Sequence, residues 1–205
     1  MKRVKIAVLV SGGGTNLQAL IDAEASGVIM AGEISLVLSN KADAYALLRA
    51  RRAGIPTKTI LLSECGGDRA EFETRIIDEL ENRGIELIVL AGFMSILSER
   101  FTAHFKNRII NVHPSLIPSF CGKGFYGLRV HEAALAYGVK VSGATVHFVN
   151  EIPDGGKIIM QRAVEVRATD TPETLQRRIM EEAEWKILPL SCQLVCEAIR
   201  EGREI

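Results

Sequence analysis

Apolar residues recur along this chain in two rhythms. Val4–Val10 is a nearly unbroken apolar run rich in β-branched residues, the pattern of a strand buried on both faces. Ser11-Gly12-Gly13-Gly14-Thr15-Asn16 follows at once, and Leu17, Leu20 and Ile21 then fall at helical spacing. Ile34–Ser39 and Leu87–Leu90 read as further strands, and Arg108–His113 as another. Between them Ala44–Ala53 reads as a helix closed by Gly54 and Pro56. Thr57–Leu62 reads as a short strand and Ser63–Gly67 as a loop. Asp68 with Glu71 three residues later predicts a capping box, and Phe72, Ile76, Ile77 and Leu80 give that helix its apolar stripe up to Gly84. Ser98–Phe105 and His131–Tyr137 are shorter helices, the second stopped by Gly138.

Toward the C-terminus the period changes. Lys140–Val149 alternates, Lys157–Val166 is also strand-like, and Pro153-Asp154-Gly155 between them is turn chemistry. Two adjacent antiparallel strands are expected. In the last segment Asp170 or Thr171 caps a helix with Pro172 in its first turn. Leu175, Ile179 and Ala183 continue one face to Leu188, Pro189 should break or kink it, and a second piece should reach about Ile199. The order of elements predicts an α/β fold: a mostly parallel twisted sheet, Rossmann-like, with helices on both faces and an antiparallel pair in its C-terminal part.

The chain of 205 residues fits a single domain, its N-terminal half (about 1–105) carrying the glycine-rich turn and its C-terminal half (about 106–205) the candidate chemistry. Lys plus Arg and Asp plus Glu number 25 each, which argues against bulk binding to nucleic acid or a membrane surface. Met1-Lys2-Arg3 before an apolar run mimics a signal peptide, but the run is short and leads into Ser-Gly-Gly-Gly, so it reads as a first strand. The four cysteines show no paired framework. Cys192 and Cys196, four apart on a helix, read as packing rather than a bridge or metal site, and a reduced, cytoplasmic protein is the simplest account.

Strand, glycine turn and helix in that order suit an anion at the helix N-terminus. A dinucleotide fingerprint would need a third glycine where Leu17 stands, and an acid where the second strand ends at Asn40. No Gly-Lys-Ser/Thr follows either. NAD and ATP are therefore poor candidates, and a single phosphate held by Gly14, Thr15 and Asn16 fits better than a plain tight turn.

The densest candidate chemistry is Asn111-Val112-His113-Pro114-Ser115-Leu116-Ile117-Pro118. Two prolines must end the strand, and Asn111 and His113, two apart, share one of its faces. A neutral amide donor beside a titratable imidazole points to chemistry on a carbonyl; a turn Asn and a partly buried His are the bland reading.

Asn-x-His-Pro-Ser-Leu-Ile-Pro resembles the signature of the folate-dependent formyltransferases, and Gly143-x-Thr145-x-His147-Phe148-Val149, then Asp154-Gly155-Gly156, resembles their second. The resemblance spans most of the chain and is strongest to the branch that formylates glycinamide ribonucleotide in purine synthesis. It implies 10-formyltetrahydrofolate as co-substrate, no metal, and a monomer or homodimer acting on small molecules. It implies Asn111, His113 and Asp154 as the catalytic set, although Asp154 by local sequence is a turn residue. It places the ribonucleotide phosphate on Gly14–Asn16 and assigns Glu184, otherwise a surface acid, to the ribonucleotide. It lays the pteridine along Met94, Ser95, Ile96 and Leu97, otherwise core under a loop, with Asn111, Asn150, Glu151, Ile152, Pro153 and Asp154 completing the folate contacts. Arg69, otherwise solvated, falls near the folate's acidic tail.

Three features depart from the family pattern: Ser95 where many relatives carry Arg, Pro153 in place of a branched apolar residue, and a longer Pro118–Val130 stretch, glycine-rich enough to serve as a lid. Lys123 in that stretch is either a phosphate or carboxylate partner or a solvated lysine. Asp154, beside His113, would be expected to raise the imidazole pKa. A tRNA formyltransferase or a formyl-folate deformylase would carry a further domain, which this chain is expected to lack. A non-catalytic sensor of phosphate compounds is the alternative from another class.

Overall fold

The computed structural model describes residues 2–205. Its centre is one seven-stranded sheet in the order β3-β2-β1-β4-β5-β6-β7. The strands are β1 (Val4–Val10), β2 (Gly32–Ser39), β3 (Thr57–Thr59), β4 (Leu87–Leu90), β5 (Ile109–His113), β6 (Val141–Phe148) and β7 (Ile158–Glu165). The first five run parallel; β5–β6 and β6–β7 are antiparallel. The expected sheet, with its antiparallel C-terminal part, is the one observed.

Alternation along β1 splits the core in two. Val8 and Val10 join one apolar layer with Leu17, Leu20 and Val195; Ala7 and Leu9 join the other with Phe72, Ile76 and Phe101. The first layer is covered by α1 (Thr15–Ala25), α2 (Tyr45–Arg52), α6 (Pro172–Ile179) and α7 (Trp185–Glu201), the second by α3 (Arg69–Asn82) and α4 (Glu99–His104). Helix α5 (Leu128–Tyr137) precedes β6 and packs against α6. Among the described residues no helix is long and apolar enough to cross a membrane.

Several local expectations shift. The strand expected over Thr57–Leu62 ends at Thr59, and a 3-10 turn, Leu62–Cys65, replaces part of the expected loop. Asp68 caps α3 through Ala70 N–H (2.7 Å) and Glu71 N–H (3.3 Å), but the Glu71 carboxylate turns to Arg75 instead of closing a box. Thr171, not Asp170, caps α6, with Thr174 in the reciprocal role, and Asp170 pairs with Arg178. The break expected at Pro189 is corrected. Pro189 lies inside a continuous α7, and the irregularity is a π-helical segment, Met180–Glu184, one turn earlier.

The strand order reverses direction between β1 and β4. In such sheets the crevice beyond the carboxyl ends is where ligands sit. Ser11–Gly14 after β1, Ala91–Ser98 after β4 and Pro114–Gly127 after β5 all leave the sheet on that edge.

Candidate active site

At one end of this edge stands the glycine turn. Gly14 is the N-cap of α1 in the left-handed region (φ 72°), and a Cβ there would stand 2.6 Å from Ala46 Cβ, so both conformation and space require glycine. Gln18 N–H is the first in α1 to find a carbonyl, that of Gly14 at 2.9 Å. The N–H groups of Thr15, Asn16 and Leu17 remain for an outside acceptor. The Asn16 side chain turns inward and donates to Glu184 Oε2 at 2.7 Å. Glu184 is buried, and burial pushes its carboxyl up to about 7 while the Asn16 amide pulls it partly back.

A hydrogen-bonded chain leads from this turn across the edge. Met94 N–H donates to Ser11 Oγ (2.8 Å), Ser11 donates to Asn40 Oδ1 (2.6 Å), and Asn40 Nδ2 donates to Ser95 Oγ (2.8 Å). Ser95 is thereby held by the loop after β2, and the segment after β4 is tied to the glycine turn. At its far end Glu73 of α3 accepts from Ser98 N–H (2.7 Å) and from the Ser98 hydroxyl.

The other end is a cluster of side chains. β5 pairs with β6 so that Asn111 faces His147 and His113 faces Thr145. Asp154, from the turn after β6, enters between the two histidines: Oδ2 lies 3.4 Å from His113 Nδ1 and Oδ1 lies 3.6 Å from His147 Nε2. Asp154 sits at φ 57°, a left-handed conformation that Asp tolerates in turns. The turn closes tightly: at Gly156 a Cβ would meet Phe148 O at 1.8 Å, so any side chain there would displace the carboxylate's own loop.

The proton positions follow from the partners. His147 Nδ1 faces its neighbour's carbonyl, Phe148 O, at 2.7 Å, so it carries the hydrogen and leaves Nε2 to accept from Asn111 Nδ2 at 3.3 Å. That bond directs the Asn111 amide and leaves its second N–H free. His113 Nε2 faces Phe120 O at 2.9 Å and holds a proton there. Its Nδ1 faces the Asp154 carboxylate.

Asp154 does push the His113 pKa up, as expected, but the net shift runs the other way. Burial lowers it, Asp154 and the Phe120 carbonyl raise it, His147 lowers it further, and the balance is a lowered value. The imidazole is 4% exposed, so loss of water outweighs the carboxylate. For Asp154, burial pushes up, but His147, the His113 ring and the Gly122 N–H (2.8 Å) outweigh it and hold the carboxyl below the usual range. Both shifts favour a His113 ring with a bare Nδ1 beside an ionised Asp154.

The Pro114–Gly127 stretch is built into this centre. Thr145 Oγ1 donates to Ser115 O (2.7 Å) and accepts from Ile117 N–H (3.1 Å), pinning the turn after His113. Phe120 and Gly122 supply the two backbone groups already named. Lys123 is exposed, and helix α5 begins at Leu128, three residues earlier than expected.

A pocket of about 130 Å³ opens on the cluster. Asn111, His147 and Asp154 line it, together with Ser95, Ile96 and Leu97. Asn150, Glu151 and Pro153 also line it. Met94 and Ile152 do not: both are exposed, and Met94 contributes its N–H to Ser11 instead. Arg69 lies in an adjoining cavity of about 430 Å³ with Glu73 and Arg100, which shares Ile96 and Leu97.

Two residues escaped the sequence reading. His147 was legible as the polar member of an alternating strand, but only register places it against Asn111. His131 on α5 is fully buried with neither ring nitrogen partnered; burial first and the His113 ring second push its pKa down to about 4.

The formyl transferase family matches residues 4–191, and the chain belongs to that family. It is 44% identical to phosphoribosylglycinamide formyltransferase of Haemophilus influenzae, over 97% of this chain and 88% of that one. It is 48% identical to the trifunctional purine biosynthetic protein adenosine-3 of Gallus gallus, over 94% of this chain. It spans only 18% of that relative's length. The crystal structure of glycinamide ribonucleotide transformylase 1 from Symbiobacterium toebii superposes with a TM-score of 0.88 at 42% identity, over 96% of this chain and 89% of that one.

Proposed function

We propose that this protein transfers the formyl group of 10-formyltetrahydrofolate to the amine of glycinamide ribonucleotide, a step of purine synthesis. The observation that carries the reading is His113 itself. Both its ring nitrogens face acceptors, Phe120 O and Asp154 Oδ2, an arrangement that only an imidazolium satisfies. Yet burial keeps the resting ring neutral. Such a group is poised to accept one proton and pass it on. The named relatives, alike over nearly the whole chain, support the same substrates.

In this reading the ribonucleotide phosphate rests on the free N–H groups at the start of α1, with Asn16 and Glu184 beside its ribose. The pteridine enters the pocket between Ser95–Leu97 and Asn150–Pro153, and its acidic tail runs toward Arg69. The amine attacks the formyl carbon, a C–N bond forms, and the carbonyl electron pair moves onto oxygen. The free N–H of Asn111 meets that oxyanion. The attacking nitrogen, now cationic, gives its proton to His113 Nδ1, and Asp154 stabilises the imidazolium. As the intermediate collapses, the bond to folate N10 breaks, N10 keeps the electron pair, and His113 returns the proton to it. Free cysteines throughout fit a cytoplasmic enzyme.

The test is a spectrophotometric assay of formyl folate consumption with glycinamide ribonucleotide. Transfer by the wild type is expected, and turnover should fall about 10²- to 10³-fold in Asn111→Ala. A chain that binds the ribonucleotide but consumes no formyl folate is a phosphate-compound sensor, and the proposal then fails.

A further inference from the structure

A cavity of about 660 Å³ lies away from the carboxylate cluster, between α1 and α7. The two helices start at the same end. Asn16 binds Glu184 there, and further along Gln193 Oε1 accepts from Met30 and Ala31 N–H (2.8 and 2.9 Å). The far part of the cavity is apolar, walled by Ala23, Val28, Pro189 and Leu190, with Val28 41% and Leu190 47% exposed. The near part holds Thr15, Gln18, Arg49, Trp185 and Lys186.

Donors are left over at that near part. Arg49 Nε donates to Gly13 O (2.8 Å) and Nη1 to Gln18 Oε1 (3.1 Å), so Nη2 has no acceptor among the described residues. The Trp185 indole N–H is buried and also lacks one. The N-terminus of α1 adds its positive end. The one opposing charge, Asp22, sits about two turns further along α1 and is engaged by Gln18 Nε2 at 2.9 Å.

We propose that this cavity is a second binding site, separate from the pocket beside Asp154, for a small amphipathic anion. Its acidic head, a carboxylate, sulfonate or phosphate, meets the free Nη2 of Arg49. Its aromatic or branched aliphatic body lies against Pro189 and Leu190. The volume suits a ligand of drug-like size. Arg49 also holds the Gly13 carbonyl, and Thr15 opens both the cavity and α1. An anion here and a phosphate on the glycine turn therefore repel each other, and each weakens the other's binding. That coupling, unlike the site, rests on the phosphate reading of the glycine turn.

Trp185 is the single tryptophan of the chain, so its emission reports occupancy directly. Titration of the full chain with anilinonaphthalene sulfonate should quench it saturably. Arg49→Gln should weaken that binding about tenfold, the loss expected for one charge-assisted hydrogen bond. Leu190→Arg, at an exposed position where folding is not at stake, should abolish it. No saturable quench, or the same affinity in both variants, overturns the proposal. So does sedimentation showing that Leu190→Arg converts a dimer to a monomer, which would make the cavity an interface between copies.

Discussion

At the Ser11–Asn16 turn the groups that face the crevice are backbone N–H groups at the start of α1. At the opposite end of the same sheet edge they are side chains: Asn111 and His113 from β5, His147 from β6 and Asp154 from the turn beyond it. The first end is built from six consecutive residues on a parallel strand–helix unit, and its demand is conformational, since Gly14 must take a left-handed φ beside Ala46. The second draws on residues more than forty positions apart, and its demand is register. An antiparallel pairing one residue out of step would turn His147 away from Asn111. A backbone site binds charge and tolerates side-chain change. A side-chain site moves protons, and every member is exposed to mutation.

If that contrast is sound, the largest losses come from the side-chain end. His113→Ala should lower turnover by about 10³-fold with little change in melting temperature, because it removes both the proton carrier and a charge-stabilising group. Steady-state kinetics beside a thermal melt will show it. His147→Phe should cost less, about 10- to 100-fold, by freeing the Asn111 amide from the acceptor that directs it. A kcat equal to the wild type would mean that Asn111 is oriented by something else.

At the backbone end the effect should appear in binding instead. Gly14→Ala is expected to raise the KM for the ribonucleotide at least about tenfold with a smaller change in kcat, and to lower stability by roughly 1–3 kcal/mol from strained φ and the clash with Ala46. A kcat effect as large as that of His113→Ala would erase the distinction between the two ends.

Glu184 sharpens it in a second way. Its carboxyl, raised to about 7 by burial, favours the folded state fully below the ordinary carboxylate range, and that stability is lost as pH rises through 7. Glu184→Gln should therefore melt higher than the wild type at pH 8 and match it near pH 4, with a gap on the order of 3 kcal/mol at most. A parallel pH dependence in both proteins would place the carboxylate in water.

The smallest expected effect is a titration. Asp154 raises the His113 pKa against burial, so Asp154→Asn should move the imidazole further down in the NMR titration of the ring. An upward movement would mean that the carboxylate does not face Nδ1 in solution.

How much of this was legible depended on distance along the chain. The strand–glycine–helix opening, the parallel sheet and the antiparallel pair at Val141–Phe148 and Ile158–Glu165 follow from periodicity, because buried strands and amphipathic helices repeat locally. The π-helical segment did not show, since no local signal in Met180–Glu184 sets it apart from an ordinary helical turn. The sign of the His113 shift could not be read either. Sequence placed a carboxylate beside an imidazole through family likeness, but only coordinates reveal how little water reaches that ring.

By itself the amino-acid order determined which residues are available: an amide and an imidazole on one strand face, glycines where a helix must start close to its neighbour, an acid in a Pro-Asp-Gly turn. Tertiary structure alone decided which of them meet and in what charge state. Pairing of β5 with β6 set His147 against Asn111, the φ of Asp154 turned its carboxylate between two rings, and the Phe120–Gly122 backbone supplied their remaining partners. The reason is physical: side-chain identity is a local property, whereas desolvation and hydrogen-bond geometry depend on everything packed around the group.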